Sequence, residues 1–349
     1  MAVVGLMAAS LTSCNHDLSD HFGVSDNPSP DVTPEPPANP MLAVPLTLEV
    51  TTAGTIVVKN PRSGMQYSTD GGVTKTTMTA TTTIPTTGEL AVGDKVQFYG
   101  KGTSIKSYFT STMDFTSITG GTAKVKVFGN IMSLVDEEGF ADNKELTADN
   151  TFYWLFNNSE LTDASGLQLP ATTLTMECYS GIFKNCFSLT TVPEKLPAES
   201  LASNCYKQMF NGCSKLTTAP ELPAENLASN CYVMMFSDCT SLTTAPALPA
   251  KILATNCYQS MFANCKALTA TPKLPAESLV FECYKSMFSG CTSLSSVTCL
   301  ATNLTATDCT ASWLYNVPGT GTFTKASGVD WSSKTGSAGI PSGWTVNEQ

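Results

Sequence analysis

The sequence predicts an α/β solenoid, one short strand and one short helix per unit, preceded by a small all-β sandwich. Three observations carry this. Phenylalanine recurs at Phe156, Phe183, Phe210, Phe236, Phe262 and Phe288, in steps of 27, 27, 26, 26 and 26 residues. A Cys-Tyr pair keeps the same beat (Cys178, Cys205, Cys231, Cys257, Cys283), and a second cysteine follows eight residues later at Cys186, Cys213, Cys239, Cys265 and Cys291. Between copies runs a Leu-Thr-Thr-Ala-Pro phrase, as at 216–220 and 242–246. A fixed period in the twenties marks stacked units, none of which can bury its apolar stripe alone.

Within one unit, Cys205, Met209 and Cys213 are spaced i, i+4, i+8, and Tyr206 and Phe210 are again four apart. That spacing predicts one stripe of a two-turn helix, with Asn204 as N-cap and Gly212, like Gly290, as its C-terminal stop. Leu216-Thr217-Thr218 is strand-like in composition. Pro220 and Pro223 lack a donor, so the strand must be very short and leave by a fixed corner. The recurring Met-Phe-Cys stripe is read as core rather than as a metal or cofactor site.

Tyr206-x-x-Met209-Phe210-x-x-Cys213-x-x-Leu216-Thr217-x-x-Pro220, repeated on a 26-residue period, resembles the BspA-like leucine-rich repeats of bacterial surface proteins. The resemblance covers residues 128–317 and implies a leucine-rich-repeat solenoid, export to the cell surface, and a binding rather than an enzymatic role. It supplies no catalytic residues and no mapped binding motif.

In chain order, residues 1–14 read as a signal peptide whose Leu11-Thr-Ser-Cys14 end is similar to a lipobox, with Cys14 the acylated residue. The apolar run is too short for a permanent span. Residues 15–44, with six prolines, read as a semi-extended tether. Residues 45–128 read as the sandwich: Leu46, Leu48 and Val50 alternate, and Asp70-Gly71 marks a hairpin turn rather than a calcium loop. Residues 129–317 form the solenoid. Its first unit is degenerate, with Thr151 and Ser159 in the cysteine slots, and Cys309 and Trp313-Leu314 start an atypical last unit. Residues 318–349 read as a β cap, in which Trp331 and Trp344 are either cap core or a platform for sugar rings.

Charged residues are only 14% of the chain and the net charge is −10, against about 25% in ordinary domains. No basic patch exists for nucleic acid. Both histidines, His16 and His21, precede the folded part, which removes Ser-His-Asp and Cys-His catalysis and histidine metal ligation. No carboxylate pair is marked out for glycoside hydrolysis. We therefore expect no catalytic residues, no metal and no cofactor. The other twelve cysteines read as small buried hydrophobes, and the spacing leaves a Cys299–Cys309 bond open; Cys299 falls where Glu221 and Lys273 sit in other units.

The functional expectation is a lipoprotein on the outer membrane, facing the exterior. It would recognise a host or bacterial surface protein or a glycan through a polar concave strip of Thr190, Thr217, Thr243, Thr269 and Ser295. The alternatives are that the strip is an ordinary solvated sheet face, and that the protein is a structural or self-associating surface component with no small ligand.

Overall fold

The computed structural model describes residues 39–102, 115–336 and 339–349. The signal-like segment, Cys14, both histidines and most of the proline-rich stretch lie outside the described residues. Residues 40–44, assigned above to the tether, belong to the folded body. Asn39 caps a 3-10 turn at Pro40–Ala43, and the Asn130 backbone N–H donates to the Val44 carbonyl at 2.7 Å.

Alternating apolar residues build the N-terminal sandwich. Its strands are β1 (Thr47–Thr52), β2 (Ile56–Lys59), β3 (Gln66–Ser68), β4 (Thr76–Thr77), β5 (Thr82–Ile84), β6 (Lys95–Tyr99), β7 (Ser117–Gly120) and β8 (Lys124–Asn130). One sheet runs β4-β3-β6-β1-β8 and continues into β9 (Leu161–Gln168); the other runs β5-β2-β7. Leu48, Val50, Val96, Phe98, Val125 and Val127 from the first sheet share a core with Ile56, Val58, Ile84 and Ile118 from the second. The Asp70 carboxylate closes the β3–β4 turn on itself, accepting from the Thr74 N–H at 2.9 Å and from Ser68 Oγ at 2.7 Å, which holds its pKa down at about 2. Because β9 pairs parallel to β8, the first coil of the solenoid is the last strand of the sandwich.

The coils stack through parallel pairings. Bridges join Asp163 to Thr191, Lys195 to Glu221, Ser200 to Asn226, Thr218 to Thr244 and Asn226 to Ile252. At the C-terminal end the pairings lengthen into a parallel sheet of β10 (Ala270–Leu274), β11 (Ser296–Cys299), β12 (Gly321–Lys325) and β13 (Trp344–Glu348). Proline sets that contrast. Pro193, Pro220, Pro246 and Pro272 occupy the strand slot and cannot donate, whereas Thr298 in that slot lets β11 run regularly. The register slips around Pro272, between Ala270 and Lys273, which pairs Cys299 with Leu274 rather than Lys273. Cys299 is accordingly buried, and the slot assigned to it from the sequence is corrected. The tail 318–349 supplies two further rungs, β12 and β13, in register with the coils before them.

The helix expected in each unit is absent: among the described residues the repeats contain no α-helix. The Cys-Tyr-to-Cys segment is instead a ribbon of turns with a left-handed residue at every fourth position. In one unit these are Asn204, Gln208 and Gly212, at φ 56°, 56° and 78°; in the next, Asn230, Met234 and Asp238, at 58°, 54° and 64°. The pattern runs from Asn150, Trp154 and Asn158 through Asp308, Ser312 and Asn316, so both atypical units share it. Asn204 is thus a left-handed turn residue and not an N-cap, and Gly212 and Gly290 are members of the ribbon rather than helix stops.

Backbone donors alternate along it. Cys205, Lys207, Met209 and Asn211 donate to the carbonyl three residues back, at 3.1–3.2 Å. Tyr206, Gln208, Phe210 and Gly212 donate to Cys231, Val233, Met235 and Ser237 of the next coil, at 2.8–3.1 Å. Each four-residue step delivers two consecutive side chains inward, Cys205-Tyr206 and then Met209-Phe210, which reproduces the i, i+4 stripe of a helix without one. A left-handed non-glycine residue costs roughly 1–2 kcal/mol. An inter-coil hydrogen bond contributes about 0.5–1.5 kcal/mol net, and a buried large side chain about 1.5–3 kcal/mol, so the ribbon is stable only when stacked.

Glycine is needed at 212 for a second reason. A Cβ there would lie 2.6 Å from Asn185 Oδ1 of the preceding coil, with φ at 78°. Gly212→Ala should therefore cost about 1–3 kcal/mol in a denaturant titration. It should cost more than Gly71→Ala, where φ is 76° and the space is open. Equal costs would mean that Asn185 does not confine the site.

Candidate functional site

The five predicted strip residues, Thr190, Thr217, Thr243, Thr269 and Ser295, are all exposed. Each follows a fully buried leucine (Leu189, Leu216, Leu242, Leu268, Leu294), the inside–outside alternation of a strand. Stacking brings them into one column: the Thr190, Thr243 and Ser295 N–H groups donate to the Thr162, Thr217 and Thr269 carbonyls. Their hydroxyls repeat the contact, at 2.9, 3.4 and 3.1 Å. With the proton committed to the preceding rung, these three hydroxyls offer a ligand acceptor lone pairs only.

Beside the strip lies a groove that the sequence reading missed. It has a volume of about 500 Å³ and is lined by 218–223 of one coil and Thr244, Ala245, Pro246, Ala247 and Pro249 of the next. A second hollow, of about 450 Å³, shares Ala245, Ala247 and Pro249 and extends to Pro272, Lys273 and Pro275. The floor is apolar, with Leu222 and Leu248 buried. Glu221 and Lys273 are its only ionisable lining groups. The signal was the recurring Ala-Pro-x-Leu-Pro phrase. Rigid prolines and small alanines along a stacked column leave a trough, but the prolines had been read only for the donor they lack.

The tryptophans of the tail are core. Trp331 and Trp344 are 3% and 6% exposed. Trp331 stacks on Trp313 at 5.9 Å, and the Trp344 Nε1–H donates to the Pro318 carbonyl at 2.8 Å. The sugar-platform alternative is thereby removed.

All twelve described cysteines are buried thiols, Cys299 and Cys309 included. Cys205 and Cys213 stand in separate columns. In the second column, Cys186, Cys213, Cys239, Cys265 and Cys291 each donate Sγ–H to a phenylalanine carbonyl of the preceding coil at 3.1 Å. Burial pushes the Cys186 and Cys291 thiols up to about 12 and the three between them well above their ordinary value. Thiols held protonated are poor nucleophiles and poor metal ligands. Among the described residues no group of three His, Cys, Asp or Glu side chains is placed to hold a metal ion.

No family model matches the chain, and no curated protein matches it. A solved structure of a leucine-rich repeat protein from Bacteroides ovatus is similar at 18% identity and a TM-score of 0.22. The match covers 52% of this chain and 54% of that one, so this chain spans about half the length of the protein it matches. The likeness is faint, and the coil description stands on this chain's own geometry. No helix among the described residues is long and apolar enough to cross a membrane.

Proposed function

We propose that this chain is a BspA-like leucine-rich-repeat surface lipoprotein. It is exported, anchored to the outer membrane through Cys14, and binds a surface protein or glycan without catalysis or cofactor. The observation that carries the binding role is the groove at Ala245 and Ala247, open across three coils beside the hydroxyl strip. The face is nearly uncharged on a chain of net charge −10, which suits an extended neutral ligand rather than a polyanion.

A glycan-array and matrix-protein screen with the full-length protein is the test. Ala247→Arg puts a long charged side chain into the trough from an exposed position. It should weaken binding of any hit at least about tenfold, roughly 1.4 kcal/mol, with no change in melting temperature. A hit whose affinity is the same for Ala247→Arg places recognition elsewhere.

The anchoring half has its own test. Cys14→Ala should release the protein from the membrane fraction or stall its processing. A Cys14→Ala protein that is processed normally and remains membrane-bound removes the lipoprotein reading.

A further inference from the structure

We propose that the groove takes an extended peptide in the polyproline II conformation, with a basic side chain beside Glu221 and an acidic one a full turn further on beside Lys273. The inference rests on the binding role given to the groove above, and it names the ligand class.

The inter-coil ladder is broken at the groove. On the side of the preceding coil, the Glu221 N–H donates to the Glu194 carbonyl at 2.7 Å and the Leu196 N–H donates to the Glu221 carbonyl at 3.1 Å. On the far side, Lys273 and Leu274 pair with Thr298 and Cys299. Between them, residues 246–249 make no backbone hydrogen bond to either neighbouring coil. The coils are joined to either side of the break instead, by the Thr218–Thr244 and Asn226–Ile252 bridges. Pro246 and Pro249 have no N–H to give. Ala247 and Leu248 carry both peptide groups, both line the groove, and Leu248 is buried. Unpaired peptide groups at a buried residue are uncommon. A ligand that completes this rung must bring donors and acceptors of its own.

Charge sets the spacing. Glu221 and Lys273 are both exposed, one at each end of the groove. Neither has an ion-pair partner among the described residues. They stand two coils apart, about 10 Å at the spacing of paired strands. A polyproline II helix has three residues per turn and rises about 3.1 Å per residue, so side chains at i and i+3 share one face about 9 Å apart. A β-strand would turn the second of them to the opposite face. The polyproline II backbone makes no internal hydrogen bonds, which leaves its N–H and C=O groups free for Ala247 and Leu248. A neutral glycan also brings donors and acceptors, but nothing that answers two opposite charges.

Titration of the full-length protein with blocked, proline-flanked peptides tests it. One carries Lys-Pro-Ala-Glu and the other Glu-Pro-Ala-Glu. The wild type should prefer the first by about tenfold, less in added salt, and binding should shift the Ala247 and Leu248 amide resonances. Glu221→Lys, at an exposed side chain, should reverse the preference. If neither peptide binds the wild type, or if Glu221→Lys leaves the preference unchanged, the proposal is overturned. A glycan that binds the wild type but not Ala247→Arg, with no peptide bound, overturns the peptide and leaves the groove's binding role standing. Peptide binding that is the same for Ala247→Arg overturns both.

Discussion

Phe236→Ala is expected to lower stability by about 3–5 kcal/mol. Phe236 is fully buried in mid-array. Its ring stacks on Phe210 and on Phe262, both at 5.5 Å and within 8° of parallel. Truncation opens a cavity and ends two ring contacts, each worth about 0.5–1.5 kcal/mol beyond area burial. The coils on either side also donate across the gap: Phe210 N–H to the Met235 carbonyl and Phe236 N–H to the Met261 carbonyl, both at 2.9 Å. The cavity therefore cannot collapse without bending two ladders. Lys207→Ala, at a half-buried position on the ribbon of the preceding coil, should cost under about 0.5 kcal/mol. Denaturant midpoints compare the two directly, and similar values would contradict the assigned register.

The largest effect is expected from a deletion of half a period. Removing 231–243 joins Asn230 to Thr244 and places a strand residue where Cys231 should begin a ribbon. Every following column is then displaced against its neighbour, so the protein should not fold. Removing 231–256, a whole period, joins Asn230 to Cys257. Asn230 then takes the place of Asn256, whose N–H donates to the Phe281 carbonyl at 3.1 Å, and Tyr206 meets Tyr258 in place of Tyr232. Each coil contacts only its neighbours, so stability is close to a sum of unit and interface terms. The shortened protein should melt cooperatively at a modestly lower temperature. If both deletions prove equally ruinous, the coils are not interchangeable.

The period and the columns were legible in the sequence because repetition is visible without structure. Leu-Thr-Thr gave the inward leucine and the outward threonine correctly. The ribbon was not legible as read, because three apolar residues at i, i+4, i+8 suit a helix of 3.6 residues per turn almost as well as a turn of four. The discriminating signal lay one residue earlier. Asn204 and Gly212, Asn230 and Asp238, and Asn256 and Asn264 are residues that tolerate the left-handed region, and they recur at a spacing of eight. The middle positions, Gln208, Met234, Ser260 and Ser286, carry no such signal; hydrogen bonds to the next coil hold them there. Burial of Trp331 and Trp344 was equally closed to composition, since it depends on two extra rungs whose periodic residues the tail does not repeat. The groove is a property of stacked coils and not of any one of them.

The backbone conformation of the repeats is the claim on which the rest depends, and NMR scalar couplings and chemical shifts at Gln208, Met234, Ser260 and Ser286 measure it. Positive φ at all four, with protected amides at Tyr206, Gln208 and Phe210, is the expected result. Negative φ at these residues, with consecutive helical shifts from Asn204 to Gly212, would contradict the stacked-ribbon solenoid.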